Sequence, residues 1–201
     1  VTARANYDDD LAETILNQKV TSTPGVAYKY LSGNTQLLGM IIQKASGKQL
    51  ASYLSESFWK PMGSVNDALW QLDDNENRLA KAFCCISSNA KDFARFGKLY
   101  KDHGKWNGKQ LLDSTFVAKS INPRFTKSPE YGYGWWLKEQ NGKQFFMMRG
   151  HLGQYVIVQP EDNVIIVRLG HHKSTDEGKP TFTEDISTYI DEAYNMLNNK
   201  S

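Results

Sequence analysis

"YGYGWWLKEQNGKQFFMMRGHLGQYVIVQPEDNVIIVRLG", Tyr131 to Gly170, contains four strand-like runs separated by Asn141-Gly142, by "GHLG" and by "EDN". Asn-Gly between apolar runs is a strong hairpin signal, because both residues tolerate the positive φ that a tight two-residue turn demands. The last two runs, "QYVIVQP" and "NVIIVRLG", are apolar at successive positions, so both faces of the sheet are expected to be covered. One cover is expected from a closing helix. It starts at Thr181, with Glu184 three residues on as a capping box, and carries Ile186, Tyr189, Ile190, Ala193 and Leu197 as its apolar stripe.

Upstream of this sheet the apolar period is helical. Leu11, Ile15 and Leu16 predict a short first helix after the acidic "DDD", whose charges favour a helix N-terminus. "TSTPG" then breaks the chain. Asn34 is expected to cap the next helix, with Leu37, Leu38, Ile41, Ile42 and Ala45 on its buried stripe and Gly47 just past its end. "KQLASYLSESFWKPMG" reads as a further helix stopped by Pro61. Residues 63–86 read as irregular, with short extended pieces around "DALWQL" and "AFCCI". Ser87 or Ser88 is expected to cap an amphipathic helix in which Phe93, Phe96, Gly97 and Tyr100 recur at helical spacing and which Gly104 ends. "DSTFVAKSINP" predicts a short helix bounded by Asp113 and Pro123. Helices followed by an antiparallel sheet with helices give an α+β order, mainly helical over 1–125 and stranded over 131–201.

Composition narrows the function classes. The chain has 201 residues, 40% of them hydrophobic and 23% charged, which is ordinary for a globular domain. A net charge of +2 gives no case for nucleic acid or an anionic membrane surface. No apolar run approaches the roughly 20 residues that span a bilayer. The first residues, "VTARANYDDD", hold neither a signal segment nor an initiator Met, so the chain is expected to begin inside a longer protein. Cys84 and Cys85 are sequence neighbours. They are expected not to bridge, because so small a loop strains a disulfide, and they are too few for a structural metal site.

Several segments resemble one family. "PGVAYKYLSGNTQLLGMIIQKASGK", "FWKPMGSVNDALWQLD", "SSNAKDFARFGKLYKDHGKWNGKQLL", "YGYGWWL" and "GHLGQYVIVQPEDNVIIVRLG" follow one another as in the later part of serine β-lactamase/penicillin-binding-protein-like hydrolases. Within that superfamily they resemble the class C-like esterases and the 6-aminohexanoate-dimer hydrolase type. Each motif alone is weak, whereas five in order are strong, and they cover the chain from about residue 20 onward. The resemblance implies a β-lactamase/transpeptidase-like fold, with this chain as the C-terminal portion of one domain. It also implies a mechanism in which the Ser of Ser-x-x-Lys attacks an amide or ester carbonyl. Lys and Tyr handle protons, and water then cleaves the acyl-enzyme. A bare Ser is a weak nucleophile and needs an adjacent base. A Tyr relays protons only where neighbouring positive charge favours its phenolate.

Counting back from Gly39 of "LLG", the resemblance assigns the catalytic phenol to Tyr30 and the third place of Tyr-x-Asn/Ser to Ser32, leaving Tyr28 to pack. Ser32 stands where an Asn amide is commoner, and its hydroxyl can still donate to a substrate carbonyl. Read without the resemblance, Tyr30 is a buried Tyr with a satisfied hydroxyl. Two Ser-x-x-Lys matches occur, Ser57–Lys60 and Ser88–Lys91. Neither fits, because Ser57 ends a helix just before Pro61 and Ser88 sits where a helix cap belongs. The nucleophile is therefore expected before Val1, in the N-terminal part of the same domain.

The family's third motif, Lys/His-Thr-Gly, has two possible registers. A literal match takes His151-Leu152-Gly153 and gives the oxyanion N–H to Gln154. Counting back from Tyr155 and Pro160 instead places the motif at Phe145-Phe146-Met147. That register makes 144–149 the edge strand, "GHLG" its turn and the Met148 N–H the oxyanion donor, a kind of group that often carries much of the catalysis. It is preferred here. It leaves the strand without the Lys that holds a carboxylate in β-lactamases, which favours neutral amides or esters. His151 is weighed evenly between a turn residue and a substrate-lining one. His171-His172 without a third ligand is weak evidence for metal, and "YGYGWW" is better read as packing than as a sugar platform.

The implied partner is a small-molecule amide or ester, with no cofactor, no nucleic acid and no membrane span. The competing readings are a true β-lactamase or D-Ala peptidase, and a non-catalytic ligand-binding relative. This chain by itself is expected neither to acylate nor to hydrolyse. Stoichiometric labelling of Ser57 or Ser88 by a fluorescent penicillin would overturn that expectation.

Overall fold

Asn141 and Gly142 both take positive φ, 52° and 72°, in the computed structural model, which describes residues 10–23, 25–26, 28–74, 76–172 and 182–199. They form the two-residue turn their sequence predicts. β5 (Trp136–Gln140) folds back on β6 (Lys143–Gly150), with Gln140 opposite Lys143. β7 (Gln154–Gln159) and β8 (Val164–Arg168) continue the meander, so the antiparallel order is β5-β6-β7-β8. β6 therefore lies between β5 and β7 and is not the edge strand expected for 144–149. The Asn-Gly turn hands it a partner on the side the motif count had left open.

The chain divides into two compact units, residues 1–88 and 89–201. In the second unit α4 (Ala90–Lys101) packs on the sheet. Period-2 alternation divides the sheet residues between two cores. Phe145, Met147, Tyr155 and Ile157 cluster with Ile186 and Ile190 of α6 (Glu184–Asn198). Phe146, Val156 and Val158 cluster with Trp135 and Leu137, and Phe93 and Tyr100 of α4 pack against them. Both faces are covered, as the uninterrupted apolar runs predict.

Local chemistry sets the helix ends in this unit. The cap of α4 is Asn89, neither Ser87 nor Ser88: its side chain accepts from the Asp92 N–H at 3.0 Å. Asp92, fully buried, also accepts from Asn89 Nδ2 at 2.6 Å and from Arg95 Nε at 3.0 Å. An amide that both caps and donates outcompetes the neighbouring hydroxyls. Asp113 caps α5 (Ser114–Ser120) as expected, accepting from the Phe116 N–H at 2.8 Å. β3 (Lys105–Trp106) and β4 (Lys109–Gln110) form a small hairpin between α4 and α5. Thr181 lies outside the described residues. The residue preceding α6 is Thr183, and Leu197 of the expected stripe is exposed.

In residues 1–88, Asp10 caps α1 (Leu11–Leu16), whose Leu11 and Ile15 are buried against Met40, Leu79 and Phe83, while Leu16 is exposed. α2 spans Ser32–Ser46 and ends at Gly47 with φ 66°. Leu31 occupies its N-cap position, so Asn34 lies inside the first turn and does not cap it. The next helix changes character midway. α3 (Leu50–Leu54) continues as a π-helical turn over Ser55–Trp59, in which the Lys60 N–H donates to Ser55 O at 3.0 Å. β1 (Leu69–Trp70) and β2 (Ile86–Ser87) are the two extended pieces, paired antiparallel. Cys84 and Cys85 are bonded to each other, contrary to expectation. Cys85 accommodates the bond by taking φ 73°, the left-handed region.

Gly97 is where α4 meets the sheet. A Cβ there would stand 2.9 Å from Val158 Cγ2 and 3.0 Å from Val156 Cγ1. Gly97→Val is expected to lower stability by about 1–3 kcal/mol through overpacking, measured as a shift of the urea midpoint of the full chain. An unchanged midpoint would refute the close approach.

Candidate functional site

The residues singled out in the sequence fall in both units. Tyr30 and Ser32 lie at the start of α2. Tyr30 is 52% exposed, whereas Ser32 is buried as the first helical residue, and Tyr28 is half-buried. The rotation of α2 accounts for this contrast. Gln36, with no exposed surface, donates through Nε2 to Ala80 O at 3.0 Å and accepts through Oε1 from the Ala82 N–H at 2.7 Å. One turn on, a Cβ at Gly39 would lie 2.6 Å from Ala82 Cβ, so a larger residue would push α2 away. Ser32, Gln36 and Gly39 thus form the inner stripe of α2.

This stripe corrects the expectation for α2. Leu37, Leu38, Ile41 and Ile42 are exposed, as is Leu31 before them. A buried amide that satisfies two backbone groups outweighs apolar periodicity in deciding which face turns inward, because leaving those groups unpaired is costly. Sequence reasoning passed over Gln36. The available signal was a Gln three residues before a Gly, on one face of an otherwise apolar helix. A depression of about 590 Å³ lies on the same unit, between Ala12, Met40, Lys44, Gly47 and Leu79, and Tyr30 does not line it.

Both Ser-x-x-Lys matches occupy structural positions. Ser57 is partly buried within the π-helical turn, and Ser88 immediately precedes the α4 cap with its Oγ buried.

In residues 89–201 the candidate strand ends in the turn His151–Leu152–Gly153. Leu152 and Gly153 take φ 57° and 81°, and His151 is exposed. Arg168 of β8 fastens this turn. Its Nη1 donates to Leu152 O at 3.1 Å and Gly153 O at 2.6 Å, and its Nε donates to Tyr189 Oη at 3.1 Å. A Cβ on Gly153 would fall 1.8 Å from Arg168 Nη1, so a side chain there collides with the guanidinium. Gln154 accepts from the Gly170 N–H at 3.1 Å, and its Nε2 donates to Gly170 O. Met148 is opposite Val156 on β7. On the other side, β5 pairs with β6 only as far as Trp136 opposite Met147, so residues 148–150 run beyond it. Tyr155 beneath the turn donates to Asp185 Oδ2 at 3.1 Å, and burial, with the Asp185 charge adding to it, holds its phenol above the usual range. His171 and His172 are exposed, and no cluster of three potential metal ligands occurs among the described residues. No described helix is long and apolar enough to cross a membrane.

Comparison with known proteins gives a consistent picture. The family described as Beta-lactamase matches residues 1–187. A 6-aminohexanoate-dimer hydrolase from Paenarthrobacter ureafaciens is 25% identical over 154 residues, which are 71% of this chain and 38% of that protein. The structure of a proposed 6-aminohexanoate-dimer hydrolase from Bacillus anthracis superposes with a TM-score of 0.75 at 25% identity, covering 92% of this chain and 47% of that one. A D-amino acid amidase from Ochrobactrum anthropi shares the fold, with a TM-score of 0.64 at 16% identity over 92% of this chain and 61% of that one. The chain thus spans less than half the length of the two hydrolase relatives. Its helices and antiparallel sheet are part of the β-lactamase fold.

Arg168→Ala is expected to free the turn carbonyls and cost about 2 kcal/mol, the scale of hydrogen bonds to a charged group. Faster amide exchange confined to residues 151–154, together with a lower urea midpoint, would verify this. Unchanged exchange would show that the turn holds itself.

Proposed function

The chain belongs to the Beta-lactamase family, and from that premise we propose that it is part of a serine hydrolase cleaving an amide or ester through a covalent acyl-enzyme. The serine and lysine of Ser-x-x-Lys lie outside this chain, in the remainder of the same domain. The serine Oγ attacks the substrate carbonyl carbon while its proton passes to the basic pair formed by that lysine and the Tyr30 phenol. Collapse of the tetrahedral adduct breaks the C–N or C–O bond. Tyr30 returns a proton to the departing amine or alcohol, and water then releases the acid from the serine. Ser32, buried on the inward stripe of α2, holds the start of the helix beside Tyr30 and does not reach a substrate in this setting. By the resemblance, His151 lines the substrate and the Met148 N–H holds the oxyanion.

The observation that carries this reading is the half-exposed Tyr30 beside an anchored Ser32, since a proton relay must reach the substrate while its helix stays fixed. The exposed Leu37, Leu38, Ile41 and Ile42 support a further part of the domain packing on α2, because contiguous apolar surface of this kind marks an interface. The Met148 role requires an N–H clear of the ladder. The run of residues 148–150 beyond β5 favours it, and the β7 partner on the other side restricts it. The name of the 6-aminohexanoate-dimer hydrolase points to hydrolysis of an amide. In the preferred register the motif positions Phe145, Phe146 and Met147 are buried and hold no cation for a carboxylate, which favours neutral amides or esters, and the strand carries Arg149 two residues on. That tells against the alternative of a β-lactamase or D-Ala peptidase.

In the full-length protein, Tyr30→Phe is expected to lower kcat/KM for a p-nitrophenyl ester by about 100-fold or more, the scale of lost acid–base catalysis, with the urea midpoint unchanged. Undiminished turnover would remove Tyr30 from the mechanism. Absence of any turnover in the unmodified protein would favour a ligand-binding relative.

A further inference from the structure

We propose that the Cys84–Cys85 disulfide is a redox-labile latch on the β1–β2 pair, opened by an external dithiol. The two are the only cysteines of the chain, and they are bonded to each other. Cys85 is exposed and Cys84 half-buried, so a reductant reaches the bond from the Cys85 side. Accessible disulfides are the labile and regulatory ones.

The backbone around the bond is in use. Trp70 Nε1 donates to Lys81 O at 3.0 Å and to Cys84 O at 3.1 Å. The Gln71 N–H donates to Cys85 O, and the Cys84 N–H to Lys81 O, each at 3.1 Å. Trp70 itself pairs with Ile86 across β1–β2. Cys85 holds φ 73°, a conformation that L-residues avoid unless something imposes it. The ring closed by the two sulfurs imposes it here. Once the ring opens, Cys85 is free to return to an ordinary backbone basin. Its carbonyl then swings away from the Gln71 N–H, and the clasp on Trp70 loosens.

The chemistry balances as thiol–disulfide exchange. A thiolate of the dithiol attacks Cys85 Sγ, the bond to Cys84 Sγ breaks, and Cys84 leaves as a thiolate that takes up a proton. The second thiol of the reagent closes on the mixed disulfide and releases Cys85 as a thiol. Two electrons pass from the dithiol to the protein, and the dithiol leaves as its own cyclic disulfide. The inference does not rest on the hydrolase reading.

The test uses the full chain purified without reductant. N-ethylmaleimide is expected to label neither cysteine before dithiothreitol and both after it. On reduction, amide exchange at Gln71 is expected to rise about tenfold, with the β7 amides unchanged. The Cys84→Ser/Cys85→Ser double variant is expected to show the faster Gln71 exchange with or without dithiothreitol. Labelling of both thiols before reduction would overturn the proposal, as would equal Gln71 exchange in the two states of the unmodified chain.

Discussion

Both ends of the Gln36 amide are committed to one stretch of backbone, the carbonyl of Ala80 and the N–H of Ala82. That pair of bonds fixes the rotation of α2. Gly39 makes the close approach possible, and Ser32 completes the same inward stripe. Everything proposed for Tyr30 depends on this setting, because a helix turned by one residue would carry Ser32 out and the leucines in. An amide buried without exposed surface is costly unless fully paired, so the rotation is strongly specified.

The sheet of the second unit obeys a different constraint. Its strands are apolar on both faces, and each face has its own helix, α4 on one side and α6 on the other. Close packing at Gly97 and the Arg168 clasp on the His151–Gly153 turn leave little freedom at the strand end that carries Met148, the proposed oxyanion donor. Fixed donors need no reorganisation when charge develops on a substrate oxygen, which is how such sites lower barriers.

Much of this was legible in the residues. Asn141-Gly142, the apolar runs, Asp113 and Gly47 speak through local geometry, and local geometry survives folding. The errors arose where a tertiary partner decided the outcome. The exposed stripe of α2 follows from the Ala80–Ala82 backbone, remote in sequence from Gln36. The α4 cap went to Asn89 because Asp92 and Arg95 recruit it. The disulfide at Cys84–Cys85 depends on a backbone conformation that composition does not announce. For the candidate site, Tyr30 and Ser32 came from motif spacing, whereas the Arg168 clasp on the turn had no sequence signal, since its partners are carbonyl oxygens.

The π-helical turn at Ser55–Trp59 has a consequence for how this chain tolerates changes of length. A π turn holds one residue more than an α turn, and here it is the last turn of its helix, which ends at Trp59. Trp59 remains buried at its end, its indole N–H donating to Asn66 O at 2.9 Å. Removing a single residue from this stretch would let it relax into ordinary α-helix with Trp59 still facing inward. The same deletion within α2 would rotate all that follows by about 100° and strip Gly39 from its place. The π turn is thus a point where the chain can shorten by one residue and keep its fold.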